Sequence, residues 1–550
     1  MLVWLLPVAL IVPNIGLDIT EYNSVWAKIA NTTLPLGIYM LLAGLSTKIG
    51  RTILLFIPLM VLCAFQIVLL YLYGENIIAI DMFMNVVTTN ATEVGELLGN
   101  LKIAILTVVV IYLPLIIAGI CVCRKHKRAT QQTLAKSRKW GKILIALGVL
   151  AVVCAYLFAP CYKIRRELFP YNVIENMCTA VARSVESANY PETSAHFKYD
   201  ASTMRPDSLK EVYVLVIGET SRADNWQLYG YGRPTNPKLS KRANLVFFPK
   251  TLSEINTTHK SVPMLLSPLT AKTFGDSVSH TRSILAAFNE SGYATAFISN
   301  QRRNHSYIDY YGEEASTAVF LAEKDTPGSD MDLVAELKEF ITGTKANKIF
   351  VVLHSYGSHF EYNKRYPSAE AVFKPDKNAE ASSLNRGQLM NAYDNTIVYT
   401  DFMLDSVAST LESLNLPAAM LYVSDHGEDI FDDKRNRFLH ASPVPTYWQL
   451  HVPLFVWMTN EYRKSFPEKF ANLRANSQRN VSSSASVFHT VVELAGLKTP
   501  WLDPQLSLSS EKFATPQRLY LNDYNESIDL KESGLHEPDF VQLDKNAIEY

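Results

Sequence analysis

How the apolar residues are distributed constrains this chain more than any single motif. Long runs of Leu, Ile and Val crowd the first 160 residues, whereas beyond residue 210 the apolar stretches become short and are separated by turn-rich polar sequence. Five stretches read as membrane spans: residues 2–17, 34–45 with their flanks, 53–73, 101–122 and 143–158. A hydrocarbon core of ~30 Å needs about 20 helical residues, a length the third and fourth reach and the first two do not. The first lacks the basic leader of a signal peptide, and further apolar runs follow it.

Charge sets the expected orientation. A turn near Lys48 and Arg51 is basic, as is the loop carrying Arg124, Lys125, Lys127, Arg128, Lys136, Arg138 and Lys139. Residues 74–100 contain no Lys or Arg but hold Glu75, Asp81, Glu93 and Glu96. The positive-inside rule places both basic loops in the cytoplasm and everything after the fifth span outside. The expected organisation is a membrane domain over 1–160, a Pro-punctuated connector on the membrane surface over 161–210, and an exported domain over 211–550. A formal net charge of −1 gives no global basic surface for nucleic acid. Of the six cysteines, only Cys161 and Cys178 fall in the exported part, where pairing is open to them. The cysteines show no CxxC or Cys/His spacing for a thiolate metal site.

The exported part alternates short β-branched runs ("VYVLVIGE", "ATAFISN", "KIFVVLH", "MLYVSDHGE", "VPLFVWM") with helical patterns, such as residues 391–414. The stripe Met403, Val407, Leu411 and Leu414 reads as core packing. Apolar runs of this kind suit strands buried on both faces of a mostly parallel sheet, and ligands of such sheets bind beyond the strand C-termini. Those ends carry chemistry: Glu219 after one, Asp425 and His426 after another, His354 and then His359 after a third, with His440 in a later loop. Singly, each could serve the fold alone. Together, two carboxylates, an imidazole and a nearby hydroxyl suit Zn²⁺. The stretch "NTTHKSVP", residues 256–263, reads as a loop and offers two threonines. A threonine hydroxyl becomes a nucleophile only when a base or a metal takes its proton.

These residues also carry a resemblance. "GETSRADNWQLYGYGRPTNP", "NTTHKSVP", "GSHFEYNKRYP", "NAYDNTIVYTDF", "YVSDHGE" and "FLH" occur in the order found in the phosphoethanolamine transferases of Gram-negative bacteria. That family lies in the alkaline phosphatase/sulfatase superfamily and includes lipid A-modifying and mobile colistin-resistance enzymes. The loop "IDMFMNVVTTNATE" resembles a loop of the same family. The resemblance implies five transmembrane helices followed by a periplasmic α/β/α domain, in the bacterial inner membrane. It makes Glu219, Asp425, His426 and Thr258 zinc ligands, and Thr258, rather than Thr257, the nucleophile. His359 and His440 match histidines that contact the phosphoryl group or a second metal. Asn85 and Glu93 match residues near the lipid head group, and Asn300 and Arg302 sit where donor-binding groups are placed. One departure is plain: Met264 stands where a cysteine follows Ser-Val-Pro in relatives, and no cysteine follows Cys178, which puts the rigidity of the nucleophile segment in question.

The reaction so implied moves phosphoethanolamine from phosphatidylethanolamine onto Thr258 and then to lipid A or another envelope glycan, by a zinc-dependent monomer. Two alternatives are a glycerol-phosphate transferase of the lipoteichoic acid synthase type and an inactive membrane scaffold. "GETSRAD" and "KRYP" favour the transferase, and the intact set Glu219, Thr258, Asp425 and His426 argues against the scaffold. Sulfate-ester chemistry needs Cys or Ser in a CxPxR-type motif, and "SVPML" has Leu265 where Arg is required.

Overall fold

The computed structural model describes residues 1–20, 24–73, 77–88, 101–159, 162–323, 328–377 and 381–550. They form two compact units, one of Met1–Phe83, Thr92–Ala182 and the short segment Lys434–Arg437, the other of Met84–Ala91, Arg183–Asp433 and Phe438–Tyr550.

The first unit is helical: α1 (Leu2–Leu10), α2 (Val12–Thr20), α3 (Val25–Ala43), α4 (Ile49–Leu55), α5 (Ile57–Tyr73), α6 (Ile80–Thr88), α7 (Lys102–Arg124) and α8 (Gln131–Phe158). By length and composition α7 and α8 each suffice to cross a membrane, and α4 with α5, bent by 51°, makes a third candidate. The α1–α2 stretch Leu2–Asp18 is apolar but shorter, and α3 carries Lys28, Asn31, Thr32 and Thr33 in its first half. Among the described residues two or three helices are therefore long and apolar enough to span, where five spans were expected. Helix α8 also corrects the loop boundary. It starts at Gln131, so Lys136, Arg138 and Lys139 are helical. The Gln, Ala, Lys and Arg residues before the apolar run are good helix formers, and Thr130 caps them by accepting from Thr133 N at 3.3 Å. Cys161 and Glu93 lie outside the described residues. Asn85 lies on α6, but its side chain is not among those described.

The second unit is organised by a seven-stranded sheet. Its strands are β1 (Glu211–Gly218), β2 (Leu245–Phe247), β3 (Ala294–Ser299), β4 (Thr317–Phe320), β5 (Lys348–His354), β6 (Ala418–Ser424) and β7 (Leu454–Met458), in the order β2-β7-β6-β1-β5-β3-β4. β4, β3, β5, β1 and β6 run parallel, while β7 is antiparallel to β6 and to β2. Every residue of β1, β5, β6 and β7 is buried, as their unbroken apolar sequences require. Leu215, Ile217, Phe297, Phe350, Val352, Leu421 and Val423 share one core with helices from the flanking layer. The helix expected at 391–414 runs from Arg386 to Ser413 and buries Met403, Val407 and Leu411.

Register places the chemistry. Gly218 pairs with Ser424 and Ile217 with His354, while Ser299 also pairs with His354. The residues that follow these strands therefore emerge side by side at one edge. "NTTHKSVP" is not a loop. Thr258–Leu265 forms a helix, α9, with Pro263 inside it, and Lys260 through Leu265 are buried. Packing of Met264 with Ile255, Leu269, Phe274 and Leu521 overrides the turn preference of Asn, Thr and Pro.

Candidate functional site

Glu219 leaves β1 at the central position of the sheet, and the chain turns at once: Thr220 takes the left-handed backbone at φ 58°. Such a conformation costs a non-glycine residue of order 1–3 kcal/mol and persists where surrounding contacts enforce it. Here Thr220 N donates to Asp425 Oδ1 at 3.0 Å, Thr220 Oγ1 to Glu219 Oε1 at 2.6 Å, and Ser221 N to Ser424 Oγ at 2.8 Å. Gly357, at φ 53°, lets the loop after β5 approach: a Cβ there would stand 2.6 Å from Glu219 O, and Ser358 N donates to that oxygen at 2.9 Å. Arg222 is buried and bridges the loops after β1 and β6, donating to Asp432 Oδ2 at 2.7 Å and Glu428 O at 3.2 Å.

Four expected donors converge. His426 Nε2 lies 3.0 Å from Thr258 Oγ1, 3.2 Å from Asp425 Oδ2 and 3.6 Å from Glu219 Oε1. Thr258 Oγ1 lies 3.2 Å from Glu219 Oε1. An ion about 2.0–2.1 Å from four N/O donors in a tetrahedron holds them roughly 3.3 Å apart, so these separations fit zinc. His426 Nδ1 donates to Gly427 O at 2.9 Å, which leaves Nε2 with a lone pair facing the other three. Asp425 Oδ1 accepts from Thr220 N and His426 N, at 3.0 and 2.7 Å. Its Oδ2 is buried with no hydrogen-bond partner, an orphan that a cation would satisfy.

The electrostatics agree. Burial pushes the Asp425 carboxyl up to about 7. Burial, with Asp425 adding, holds Glu219 above the usual carboxylate range, and burial holds His426 below the usual imidazole range. A site that resists both anions and imidazolium when empty is one whose charge balance a divalent cation would invert. Glu219, His426 and His440 also present ligand atoms all within 4.8 Å of one another. Thr258 Oγ1 and Asp425 Oδ2 lie nearer His426 Nε2 than that limit, at 3.0 and 3.2 Å.

The His440 ring centroid lies 4.2 Å from that of His426, the rings tilted by 39°, and 6.3 Å from that of His359. Burial, with His426 and His359 adding, holds His440 well below the ordinary imidazole range. His440 Nδ1 faces Glu428 Oε2 at 3.3 Å and His359 Nδ1 donates to Phe360 O at 2.7 Å, so both rings turn Nε2 elsewhere. His354 is not part of the cluster. It sits against Phe297, with Nδ1 3.1 Å from Ser299 Oγ, and burial lowers it to about 4. Asn300 is buried and donates to Asp330 Oδ1 at 2.8 Å, which in turn accepts from Tyr356 N at 2.8 Å. It braces the loop after β5, and Arg302 is exposed.

Of the two threonines, Thr258 brings its hydroxyl to the cluster, while the Thr257 hydroxyl is buried without a partner. Helix α9 is fixed one turn later, where Ser261 Oγ donates to Asp425 O at 2.7 Å. That bond and the Met264 packing hold the segment where a disulfide is absent. Sequence reasoning gave no role to Thr220, Gln301 or Glu428. Gln301 Nε2 donates to Glu219 Oε2 at 3.1 Å, and its position just past β3, between Asn300 and Arg302, was the available signal.

Residues 211–497 match the sulfatase family, and the chain belongs to it. The chain is similar to the phosphoethanolamine transferase EptA of Escherichia coli, 30% identical over 54% of this chain and 55% of that one. It is also similar to the Kdo(2)-lipid A phosphoethanolamine 7''-transferase of the same organism, 27% identical over 55% of this chain and 54% of that one. It thus spans about half the length of the curated relatives it matches. Among solved structures, the integral membrane protein lipooligosaccharide phosphoethanolamine transferase A of Neisseria meningitidis shares the fold across 92% of this chain and 97% of its own, with a TM-score of 0.71 and 23% identity. The periplasmic domain of phosphoethanolamine transferase EptC from Campylobacter jejuni covers 58% of this chain and 99% of its own, with a TM-score of 0.51 and 27% identity.

Proposed function

We propose that this protein is a zinc-dependent phosphoethanolamine transferase of a bacterial inner membrane, with five spans and a periplasmic catalytic domain. It would take the group from phosphatidylethanolamine and pass it to lipid A or another envelope glycan through an ester on Thr258. The observation that carries the reading is the Thr258 hydroxyl, held 3.0 Å from His426 Nε2 and 3.2 Å from Glu219 Oε1 at the first turn of a helix. The curated relatives are named as transferases of that group.

Glu219, Asp425, His426 and Thr258 would hold the zinc, which when bound depresses the hydroxyl pKa and offsets phosphoryl charge. Thr258 Oγ1 attacks phosphorus, and the bond to the glycerol oxygen breaks. His359 as imidazolium, with its Nδ1 proton donated to Phe360 O and His440 beside it, gives its Nε2 proton to that oxygen, and diacylglycerol leaves. An acceptor oxygen then attacks the same phosphorus and frees Thr258. Asn85 and Glu93 would lie near the lipid head group, and the apolar first unit suits two lipid substrates.

The test follows a fluorescent phosphatidylethanolamine with purified protein, reading diacylglycerol release and mapping the adduct by peptide mass spectrometry. Thr258→Ala should abolish release and adduct, and Thr257→Ala should keep most of both. An adduct on Thr257, or full turnover by Thr258→Ala, would overturn the assignment.

A further inference from the structure

We propose that Gln301 is a positioning residue that decides how Glu219 holds the metal; this rests on the metal reading of the site given above. Its amide nitrogen has two protons and two acceptors. One is Glu219 Oε2 at 3.1 Å, the other Ser355 O at 3.1 Å. The Gln301 backbone is fixed as well, since its N–H donates to Ser299 Oγ at 3.1 Å. Ser355 N in turn donates to Ile217 O on β1 at 3.0 Å. The loops after β3 and β5 are thereby tied to the carboxylate that ends β1.

The two oxygens of Glu219 have different surroundings. Oε1 faces His426 Nε2 at 3.6 Å and Thr258 Oγ1 at 3.2 Å. Oε2 lies 3.4 Å from Thr258 Oγ1 and receives the Gln301 proton. A carboxylate free to rotate about its last bond can present either oxygen, or both, to a cation. Gln301 on Oε2, opposite Thr220 Oγ1 on Oε1 at 2.6 Å, removes that freedom and keeps Oε1 the oxygen nearer to both His426 Nε2 and Thr258 Oγ1. So held, Glu219 would offer the ion one oxygen and leave a place for the Thr258 hydroxyl. Partners of this kind typically change metal affinity 10–100-fold.

The test uses the full-length protein in detergent. Zinc affinity is measured by chelator competition, and zinc coordination by X-ray absorption. Gln301→Met keeps side-chain length and removes both donors. It should bind zinc 10–100-fold more weakly than the parent and show more than one oxygen of Glu219 on the ion. Gln301→Asn keeps the amide one methylene short and should behave in the same direction, which carries the test if Gln301→Met does not fold. In a Glu219→Gln background the Gln301→Met change should have no further effect on affinity. A parent that binds no zinc overturns the metal reading itself. A parent that binds zinc, with folded variants that bind it within twofold and with unchanged coordination, overturns the role of Gln301.

Discussion

In the helical unit α3 and α8 meet through glycines. A Cβ on Gly141 would stand 2.8 Å from Gly37 O and from Leu41 N, and one on Gly148 2.6 Å from Leu34 Cβ. In the sheet unit the contacts are made instead by large side chains: Phe297, Phe350, Val352, Leu421 and Leu454 interlock in one buried core. The difference teaches where each unit keeps its specificity. Leu106, Val110, Leu147, Leu150 and Val153 of α7 and α8 are exposed. Helices surrounded by lipid would gain little from burying such side chains, and small residues that let backbones approach specify the pairing. The sheet unit gains from burial itself, so its strands can end in polar groups held by the rigid core beneath them.

The largest effect should come from breaking the sheet unit at its polar end. Asp425→Asn keeps an acceptor for Thr220 N and His426 N but puts an uncharged group in place of the orphaned Oδ2. Loss of an outer partner costs 10–100-fold, so loss of a ligand should lower zinc affinity at least ~100-fold, and turnover with it. The metal-free protein should melt no lower than the parent, because a buried charge has been removed. Metal analysis with calorimetry reads both, and full zinc retention would mean that Asp425 is not a ligand.

Next in size are two substitutions of opposite sense. Gly141→Leu drives a side chain into the α3 backbone and should cost the helical unit ~3 kcal/mol or more. Leu421→Ala empties a site in the sheet core and should cost ~2–5 kcal/mol. Limited proteolysis of each variant should nick the mutated unit first. Equal protection of both units in Gly141→Leu would refute close packing through glycine.

The same contrast shows why some of the molecule was legible in sequence and some was not. The strands and the polar residues at their ends could be read because unbroken apolar runs suit buried parallel strands, and Glu219, Asp425 and His426 follow such runs at once. Asn256, Thr257, Thr258 and Pro263 misled, since turn propensity outweighed burial that only the tertiary fold supplies. Gln301 went unremarked because an amide has no charge to attract notice, although it occupies the same strand-end position as the ligands. Along the long apolar runs of the helical unit, periodicity could not show which face packs. The seven-residue spacing of Gly37 with Gly44, and of Gly141 with Gly148, was the legible sign.

A smaller effect separates buried carboxylates near the site from those in it. Glu254 accepts from Ser484 Oγ at 2.7 Å, and burial pushes its carboxyl from the ordinary 4.5 up to about 7. Between those values the folded state binds more protons than the unfolded, so this group makes stability fall as pH rises through the window. Glu254→Gln should change little below pH ~4.5 and gain up to ~3 kcal/mol above pH ~7. Denaturant melts across that range give the slope, and an unchanged slope would mean that Glu254 is ionised throughout.

The smallest expected effect tests whether hydrogen bonding does for α9 what a disulfide would do. Ser261 Oγ is buried and donates to Asp425 O at 2.7 Å, an oxygen that Ser253 Oγ also reaches at 2.8 Å. Ser261→Ala therefore leaves no acceptor stranded, and stability should fall by only ~1 kcal/mol. Zinc affinity should hold, because Asp425 keeps its carboxylate and its remaining backbone tether. What changes is the tie between the Thr258 helix and the β6 end. With that tie gone, Thr258 spends less time in line with the donor phosphorus, so kcat should drop several-fold while KM holds. A role confined to stability would leave kcat at parent level once the folded fraction is accounted for. Ser261→Thr, which keeps the hydroxyl, should restore the rate if it packs and lower stability if its methyl group does not fit.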